Sequence, residues 1–256
     1  MILIFIILTI LFLAFSLRYN WWRIPQGYNK ARVLMYHSIA NHTGIRKQDK
    51  WIVTPKDFDK QMAWFAKNDW QSFTVSELIS LDKIPNRSFA ITFDDGFEDN
   101  YINAFPILQK YNFKATVYLV PNLEYNSWEG KKPLLKIKQI IEMQNSRLVE
   151  FGSHTKLHKN LLTLRDDQVI SEVEESKKEI EGITKKECKS FAYPYGKFNE
   201  NIIKIVKNAG YISAVTVKRG LFSKDDESFS VKRIGILGTE SFFDFYLKVT
   251  RIRNKL

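Results

Sequence analysis

Short apolar runs alternate with longer amphipathic stretches along most of the chain. The runs are rich in β-branched and aromatic residues, as at 115–120, and the stretches repeat apolar residues at helical spacing, as at 55–67. Strands that alternate with helices of this length predict parallel βαβ units. The predicted strands are 32–36, 88–93, 115–120, 149–152, 190–193 and 212–217, and the predicted helices are 55–67, 99–111, 134–143, 166–180, 200–209 and 239–255.

An α/β barrel is the leading architecture that this alternation predicts, and an open doubly wound sheet is the second. We expect one domain over residues 23–256, which is long enough to bury a full hydrophobic core. The sequence contains no internal repeat, low-complexity tract or interdomain linker. The polar residues discussed next follow predicted strands, and the carboxyl ends of barrel strands form the catalytic face.

Two adjacent carboxylates, Asp94 and Asp95, close the apolar run 89–93 and are followed by Gly96. Like charges repel and burial penalises both, so such a pair at the end of a buried strand needs compensation. A divalent cation could bind one carboxylate and leave the other free to act as a base. The alternative is ordinary turn chemistry, because Asp-Asp-Gly also suits a turn.

Two of the four histidines, His154 and His158, follow the strand-like segment 148–151. Two imidazoles four positions apart can converge on one metal ion from a helical turn or a tight loop, and the flanking residues here favour a loop. Together with one aspartate they form a three-ligand set with positions open for water and substrate, which is typical of a catalytic site. The alternative is a pair of exposed loop histidines without a ligand.

Four short motifs together resemble the polysaccharide deacetylase family, the NodB-homology domain. They are Thr-Phe-Asp-Asp-Gly at 92–96, His-x3-His at 154–158, Phe-Ala-Tyr-Pro-Tyr-Gly at 191–196 and Leu-Met-Tyr-His-Ser-Ile at 34–39. The last of these resembles the N-terminal motif of the circularly permuted branch that deacetylates poly-N-acetylglucosamine. The resemblance spans about residues 31–236 and implies a distorted (β/α)7 barrel, in agreement with the alternating pattern.

The resemblance implies a metal-dependent hydrolysis of an acetamide. Asp95, His154 and His158 would hold the metal, which polarises the carbonyl and lowers the pKa of bound water. Asp94 would take the proton from that water as general base. Zinc is the expected metal, and iron, cobalt or nickel also suit two imidazoles and a carboxylate.

The same resemblance implies four further site residues. His37 would protonate the departing amine, although a histidine at a strand end can also be a core residue. The backbone N–H of Tyr195 would help to hold the oxyanion, and Tyr193 and Pro194 would contact the substrate.

The sequence departs from the family pattern at two places. Many members carry an Arg shortly before the Pro-Tyr of the third motif, where it orients the base; here the nearby residues include Lys189, which is a possible substitute. The late Trp-rich and Leu-x-Leu-x-His motifs are absent, and no histidine follows His158. The second departure supports the permuted assignment, in which the acid comes from the N-terminal side.

The N-terminus predicts a membrane anchor over residues 1–22. Residues 1–17 contain two polar side chains, Thr9 and Ser16, and about 17 helical residues span roughly 26 Å. Tyr19, Trp21 and Trp22 would extend the anchor into the membrane interface. A cleavable signal peptide is the alternative, but the sequence lacks a basic n-region and a small-x-small cleavage site.

The side of the membrane on which the enzyme domain lies is not decided by the sequence. The positive residues Arg18, Arg23, Lys30 and Arg32 follow the anchor, and the positive-inside rule would put the domain in the cytoplasm. The resemblance implies instead that the enzyme domain acts outside the cell. One cysteine, Cys188, is compatible with both compartments.

A formal net charge of +11 favours anionic lipid head groups or phosphate-bearing substrates. No nucleic-acid motif accompanies the charge, so nucleic acid is not an expected partner. In the predicted last helix, the residues Phe242, Phe243, Phe245, Tyr246, Val249 and Ile252 lie among Lys248, Arg251, Arg253 and Lys255. Such a helix either lies on a membrane surface or, more often, packs on the core. The sequence indicates no oligomeric state.

Three functions are compatible with these residues. The first is removal of N-acetyl groups from amino sugars, either in a polysaccharide or on a polyprenyl-phosphate-linked glycan precursor; the anchor and the charge favour the lipid-linked substrate slightly. The second is another metal-dependent amide hydrolase, for example a deformylase-like enzyme. The third is a catalytically dead, membrane-tethered glycan-binding protein, which the missing Arg leaves open.

Overall fold

The structure is a computed structural model that describes residues 1–19, 22, 24–121, 124–126 and 131–251. Five residues named above, Trp21, Arg23, Ile252, Arg253 and Lys255, lie outside the described residues.

Ten strands and nine α-helices lie within the described part of the chain. The strands are β1 (Arg32–Tyr36), β2 (Ser38–Ile39), β3 (Ile52–Val53), β4 (Gln71–Phe73), β5 (Ser88–Phe93), β6 (Ala115–Leu119), β7 (Val149–Ser153), β8 (Ser190–Ala192), β9 (Ser213–Arg219) and β10 (Val231–Gly235). The helices are α1 (Ile2–Tyr19), α2 (Arg46–Asp49), α3 (Pro55–Lys67), α4 (Val75–Ser80), α5 (Phe105–Tyr111), α6 (Ile137–Asn145), α7 (Asp166–Thr184), α8 (Glu200–Asn208) and α9 (Phe242–Arg251).

Seven parallel strands close into a barrel. The hydrogen-bonded order is β1-β10-β9-β8-β7-β6-β5, and β5 pairs in turn with β1 over the full length of β1, from Arg32 with Phe89 to Tyr36 with Phe93. The short strand β4 pairs with the first half of β5 outside this ring. The structure therefore confirms the predicted parallel α/β barrel.

The barrel strands are apolar because both of their faces are covered. All residues of β1, β5, β6 and β8 are buried, which explains why their sequences read as continuous apolar runs rather than alternating ones. Because all strands are parallel, their carboxyl ends meet at one face, called the catalytic face below, and their amino ends meet at the opposite face.

Several element boundaries differ from the predicted ones for identifiable reasons. The predicted helix at 99–111 begins as a π-type turn over Asn100–Ala104, and the regular α5 follows, because Pro106 has no N–H for a normal helical bond. The predicted helix at 134–143 begins later, at Ile137, since Leu134 and Leu135 are buried and make backbone bonds to Glu124 and Gly96. The short elements β2, β3, β4, α2 and α4 and the strand β10 were not predicted.

The last helix α9 packs on the core. Phe245, Leu247 and Val249 are buried, and Phe245 lies against the ring of Phe65 with centroids 5.8 Å apart. Its Ser241 cap exchanges hydrogen bonds with Asp244, so the helix begins later than predicted. The core-packing alternative is therefore the one observed in the described part of this helix.

The N-terminal helix α1 is apolar enough to cross a membrane, by length and composition. Its 18 residues span roughly 27 Å, close to the hydrocarbon thickness of a bilayer. Of its side chains only Ser16 is buried, so most of its surface is open to a membrane.

Replacement of Phe89 by Ala should lower the free energy of unfolding by about 3–5 kcal/mol, because a large core side chain is lost and a cavity remains. Phe89 is fully buried and stacks on Phe65 with centroids 4.1 Å apart. Urea unfolding of the full chain in detergent, followed by circular dichroism, measures the change. The control Tyr125→Ala, at a side chain that is 57% exposed, should change stability by less than about 0.5 kcal/mol. Equal effects of the two variants would contradict this account of the core.

Candidate active site

The strand β5 ends in a sharp turn that separates the two carboxylates. Asp95 has a left-handed backbone conformation (φ 75°), which is unusual for a residue other than glycine, and Gly96 follows with φ 70°. A Cβ at Gly96 would lie 2.9 Å from Leu119 Cδ2, so the turn also needs the absence of a side chain there. Both Asp94 and Asp95 are buried at the catalytic face. The segment Asp94–Gly96 is therefore both a tight turn and part of the candidate site, so the two alternatives are not exclusive.

The loop after β7 carries both histidines and is held by hydrogen bonds. Ser153 Oγ accepts from the N–H of Thr155, and Thr155 Oγ1 accepts from the N–H of His158. Glu172 of α7 accepts from the N–H of Leu157 at 2.8 Å. Thr155 and His158 both have positive φ angles, 69° and 53°, which bend the loop back over the barrel. Both histidines are buried, so the exposed-loop alternative is wrong.

One side-chain oxygen and two ring nitrogens converge within 4.8 Å of one another. Asp95 Oδ1 lies 3.6 Å from His154 Nε2 and 3.3 Å from His158 Nε2. Two ligand bonds of 2.0–2.2 Å at a tetrahedral angle separate their donor atoms by roughly 3.4 Å, so the spacing suits one ion bound by all three residues. The donor set therefore fits the divalent metal that the family implies.

The tautomer of His154 also suits a metal ligand. Its Nδ1 lies 2.7 Å from the carbonyl oxygen of Ala192, to which it donates a proton, and this leaves the lone pair of Nε2 directed at the cluster. Burial lowers the pKa of His154 and, more strongly, that of His158. Both rings are thus neutral at physiological pH, which is the form that binds metals.

Asp94 forms a two-pronged salt bridge with Arg233 of β10. Arg233 Nη1 donates to Asp94 Oδ1 and Arg233 Nη2 to Asp94 Oδ2, both at 2.7 Å. The guanidinium is itself almost fully buried and also donates to Thr92 Oγ1 and to the carbonyl oxygen of Thr216. Burial alone would raise the pKa of Asp94, but the charge and hydrogen bonds of Arg233 outweigh it and hold the pKa well below its usual range. Asp94 is therefore an oriented, ionised carboxylate.

Arg233, and not Lys189, is the basic residue that orients Asp94, so the suggested substitution by Lys189 is wrong. Lys189 Nζ lies 3.6 Å from Glu187 Oε2 at the surface, before β8 and away from Asp94. Sequence reasoning missed Arg233 because Lys232 and Arg233 interrupt the apolar run of β10, so no strand was predicted there. The available signal was the pair of charged residues, Lys232 and Arg233, between the apolar residues Val231 and Ile234.

His37 lies between β1 and β2 beside Asp94. Its ring packs on Trp51 with centroids 4.6 Å apart, and Asn100 Nδ2 donates to its carbonyl oxygen. The Nδ1 atom is buried without a hydrogen-bond partner among the described residues, while the residue as a whole is half-buried. Burial lowers the pKa of His37 to about 4, and the nearby charge of Asp94 acts in the opposite direction.

Tyr195 lies in a tight turn directly above the cluster. Its backbone is left-handed (φ 57°), and its ring contacts His158 with centroids 4.7 Å apart. A Cβ at the next residue, Gly196, would collide with Val217 Cγ2 at 2.2 Å, so only glycine fits there. Tyr193 and Pro194 are buried beneath this turn, and the Tyr193 hydroxyl donates to the carbonyl oxygen of Phe229.

Two depressions lie at the catalytic face, one beside His158 and one beside Arg233. One of about 600 Å³ lies between the histidine loop and Tyr195 and includes Lys159 and Lys197. The other, of about 260 Å³, lies behind Arg233 and is lined by Trp51 and Arg219 among others. Aromatic rings and basic side chains lie at the edges of both.

The fold and the site together define a parallel α/β-barrel hydrolase with a candidate metal centre, and comparisons with known proteins identify its family. A family model for polysaccharide deacetylases matches residues 82–214. A putative polysaccharide deacetylase of Bacillus subtilis, YxkH, is 33% identical over 211 residues, which cover 81% of this chain and 71% of that protein. The chain belongs to the polysaccharide deacetylase family.

Two further similar proteins are named as deacetylases. A poly-β-1,6-N-acetyl-D-glucosamine N-deacetylase of Staphylococcus epidermidis is 29% identical over 227 residues, covering 80% of this chain and 78% of that protein. The solved structure of the Streptococcus pyogenes deacetylase PplD in complex with acetate superimposes with a TM-score of 0.75 at 28% identity, over 86% of this chain and 98% of that one. The chain is thus a carbohydrate deacetylase by family.

Replacement of Arg233 by Lys should lower kcat about 10- to 100-fold, because residues that orient a catalytic or metal-binding group typically contribute that much. Lysine keeps the charge but cannot donate two parallel hydrogen bonds to Asp94. Steady-state kinetics of the full chain test this, with Lys189→Arg as the control that should keep normal kcat. An unchanged kcat in the Arg233→Lys protein would show that orientation of Asp94 by Arg233 is dispensable.

Proposed function

We propose that this protein is a metal-dependent hydrolase that removes N-acetyl groups from the amino sugars of a glycan at a membrane. The observation that carries the proposal is the placement of an oriented carboxylate, Asp94, directly beside the converging donors of Asp95, His154 and His158. A base and a three-ligand metal site in one buried cluster suit hydrolysis of an amide.

Each residue has a task that follows from its surroundings. Asp95 and the two histidines would hold a divalent ion, which would act as a Lewis acid toward water and an acyl carbonyl. Asp94 accepts a proton at a carboxylate oxygen, and Arg233 keeps that carboxylate ionised and aimed at the cluster. The low pKa of Asp94 makes it a weak base, so it is suited only to an acidified proton donor.

His37 is the proposed proton donor to the departing amine. The ring is neutral in the free site because burial lowers its pKa, so it takes up a proton from solvent before it donates one to the amine, and Asp94 returns the proton it took from water to solvent. The charge of Asp94 favours the protonated ring, and packing on Trp51 fixes the ring plane. The backbone N–H of Tyr195 is proposed as a donor to the carbonyl oxygen, and Tyr193 and Pro194 as residues that shape the substrate cleft from below.

N-acetylated amino sugars are the proposed substrates because two lines of support agree. The Staphylococcus epidermidis relative is named as a deacetylase of poly-β-1,6-N-acetyl-D-glucosamine. The basic and aromatic edges of both depressions suit a sugar chain and any phosphate attached to it. A polymer and a lipid-linked precursor share this chemistry. The argument for a catalytically dead glycan-binding protein rested on the missing Arg. That argument no longer holds, because Arg233 pairs with Asp94.

The apolar helix α1 is proposed to remain attached as a membrane anchor. Its end packs on the enzyme domain: Phe15 and Tyr19 contact Phe243, and Arg18 pairs with Asp244. A signal peptide that is removed has no need of such contacts. The mass of the mature protein, measured on the membrane fraction, distinguishes retention from cleavage.

The full chain in detergent, loaded with Zn²⁺, should release acetate from N-acetylglucosamine oligomers. Removal of the metal with a chelator should abolish release, and re-addition should restore it. Asp94→Asn should lower kcat by roughly 10²–10⁴, the usual contribution of a general base. Full activity in the Asp94→Asn protein would exclude Asp94 as the base. Running the assay in parallel on polyprenyl-phosphate-linked amino sugars separates the polymer from the lipid-linked precursor.

The purified protein should bind one equivalent of Zn²⁺, and His154→Ala or His158→Ala should each remove most of it. The control is His42→Ala, because His42 lies outside the cluster and bonds to the carbonyl oxygen of Ile52. Metal content by mass spectrometry and titration calorimetry give the stoichiometry independently of activity. Equal zinc binding by all three variants would exclude the proposed centre.

A further inference from the structure

The order of elements in the sequence suggests that the anchor lies at the amino-terminal face of the barrel. The contacts in the structure place it at the other face. The anchor precedes β1, and β1 begins at the amino-terminal face, opposite the site. Residues of the connecting segment do lie at that face: the N–H of Gln26 donates to the carbonyl oxygen of Thr250, and Arg32 Nη1 donates to those of Gly27 and Lys30. A short direct link would therefore hold the catalytic face away from the membrane.

The end of α1 is instead bound to the beginning of α9. The ring of Phe243 lies 6.3 Å from that of Phe15 and 5.1 Å from that of Tyr19, measured between centroids. Arg18 Nη1 lies 3.3 Å from Asp244 Oδ1, and the Asp244 carboxylate is almost fully buried. Charge and aromatic contacts thus join α1 to the first turn of α9.

The first turn of α9 lies at the catalytic face. The chain leaves the carboxyl end of β10, where the N–H of Ile236 donates to Met35 of β1, and α9 begins six residues after Ile236 at Phe242. The helix then runs toward the opposite face, where the carbonyl oxygen of Val249 accepts from Arg32 Nε at the start of β1. Residues 1–15 are all exposed, and residues 15, 18 and 19 contact the first turn of α9, so α1 departs from the domain at that turn.

A basic surface continues from this point around the catalytic face. We call it the anchor-side rim, and it comprises residues 41–50 and 237–243. Residues 41–48 and Lys50 are all exposed, with Ile45 55% exposed beside Arg46 and Lys47. The rim's acidic residues are buried and bonded internally: Asp49 accepts from Thr43 and Gly44, and Glu240 pairs with Lys248. The exposed charge of the segment 41–50 is therefore positive.

The two parts of the rim form one rigid surface. The N–H of Gly238 donates to the carbonyl oxygen of Lys50, and a Cβ at Gly238 would lie 1.7 Å from the carbonyl oxygen of Ile52. The loop at 41–50 is thus packed directly against the segment that leads into α9. An exposed apolar residue flanked by basic ones is the surface type that contacts anionic lipid head groups.

We propose that the catalytic face is held against the lipid surface, with α1 in the bilayer and the anchor-side rim on anionic head groups. The inference rests on the proposed retention of α1. It deepens the proposed function, because it restricts the substrate to glycans that lie at the membrane surface, such as a lipid-linked chain or a polymer emerging from the membrane.

Fluorescent labels at the two ends of the domain test the orientation. The full-length variants Ile45→Cys, on the rim, and Lys67→Cys, at the opposite end of α3, are labelled with an environment-sensitive maleimide. They are reconstituted into phosphatidylcholine–phosphatidylglycerol vesicles that contain a lipid with a nitroxide head group. Cys188 is buried and burial raises the pKa of its thiol, so the unaltered chain serves as the blank.

The label at Ile45→Cys should lose most of its fluorescence to the nitroxide, while the label at Lys67→Cys should lose little. Equal quenching at both positions, stronger quenching at Lys67→Cys, or no quenching at either would overturn the proposal. The measurement needs no turnover, so an enzyme that failed to deacetylate sugars would still report its orientation. Loss of the orientation and loss of the proposed function are thereby distinguished.

A second variant tests the contact that sets the orientation. Arg18→Glu, added to the Ile45→Cys chain, places two carboxylates opposite each other at Asp244 and should release the helix end, so that quenching at the rim decreases. The matched control is Arg165→Glu, which breaks an exposed pair with Asp167 elsewhere on the surface. Unchanged quenching in the Arg18→Glu protein would show that this pair does not orient the domain.

Discussion

The buried salt bridge between Asp94 and Arg233 is the interaction on which the site depends. Two adjacent carboxylates at the end of a buried strand repel each other, and an uncompensated buried charge costs several kcal/mol. Arg233 neutralises the first through two 2.7 Å hydrogen bonds, while the second, Asp95, turns toward two neutral histidines. Their different partners give the two carboxylates different chemistry. One is a fixed, ionised carboxylate, and the other is a candidate metal ligand.

The closed barrel makes this division possible. Arg233 lies 139 residues after Asp94, yet β10 pairs with β1 and β1 pairs with β5, so the guanidinium crosses the barrel interior to reach the carboxylate. The third motif supplies no Arg, but the last strand does. In this chain the arginine that pairs with Asp94 therefore comes from a distant strand, which explains why the pair is not visible in any local stretch of sequence.

The parts of the molecule that could be predicted are those whose signal is local. Buried parallel strands such as β5 and amphipathic helices such as α3 follow from short apolar patterns. The candidate ligands Asp95, His154 and His158, which the structure brings together, follow from spacing beside predicted strand ends. β4 is three residues long, and β10 contains Lys232 and Arg233, so neither has an apolar run long enough to detect. The role of Arg233 depends on strand pairing, which residue patterns alone do not specify.

The same limit applies to the N-terminal helix α1, where chain order and spatial order disagree. In sequence, α1 adjoins β1 and hence the face opposite the site. In space, the contacts of Arg18 and Tyr19 with α9 bring it to the catalytic face, because α9 returns along the outside of the barrel to the start of β1. A flexible tether would let the domain sample all orientations, whereas a helix end fixed by a buried carboxylate and two aromatic contacts selects one. An enzyme oriented in this way meets substrate at the surface concentration of the membrane, so weak binding of each sugar suffices for turnover.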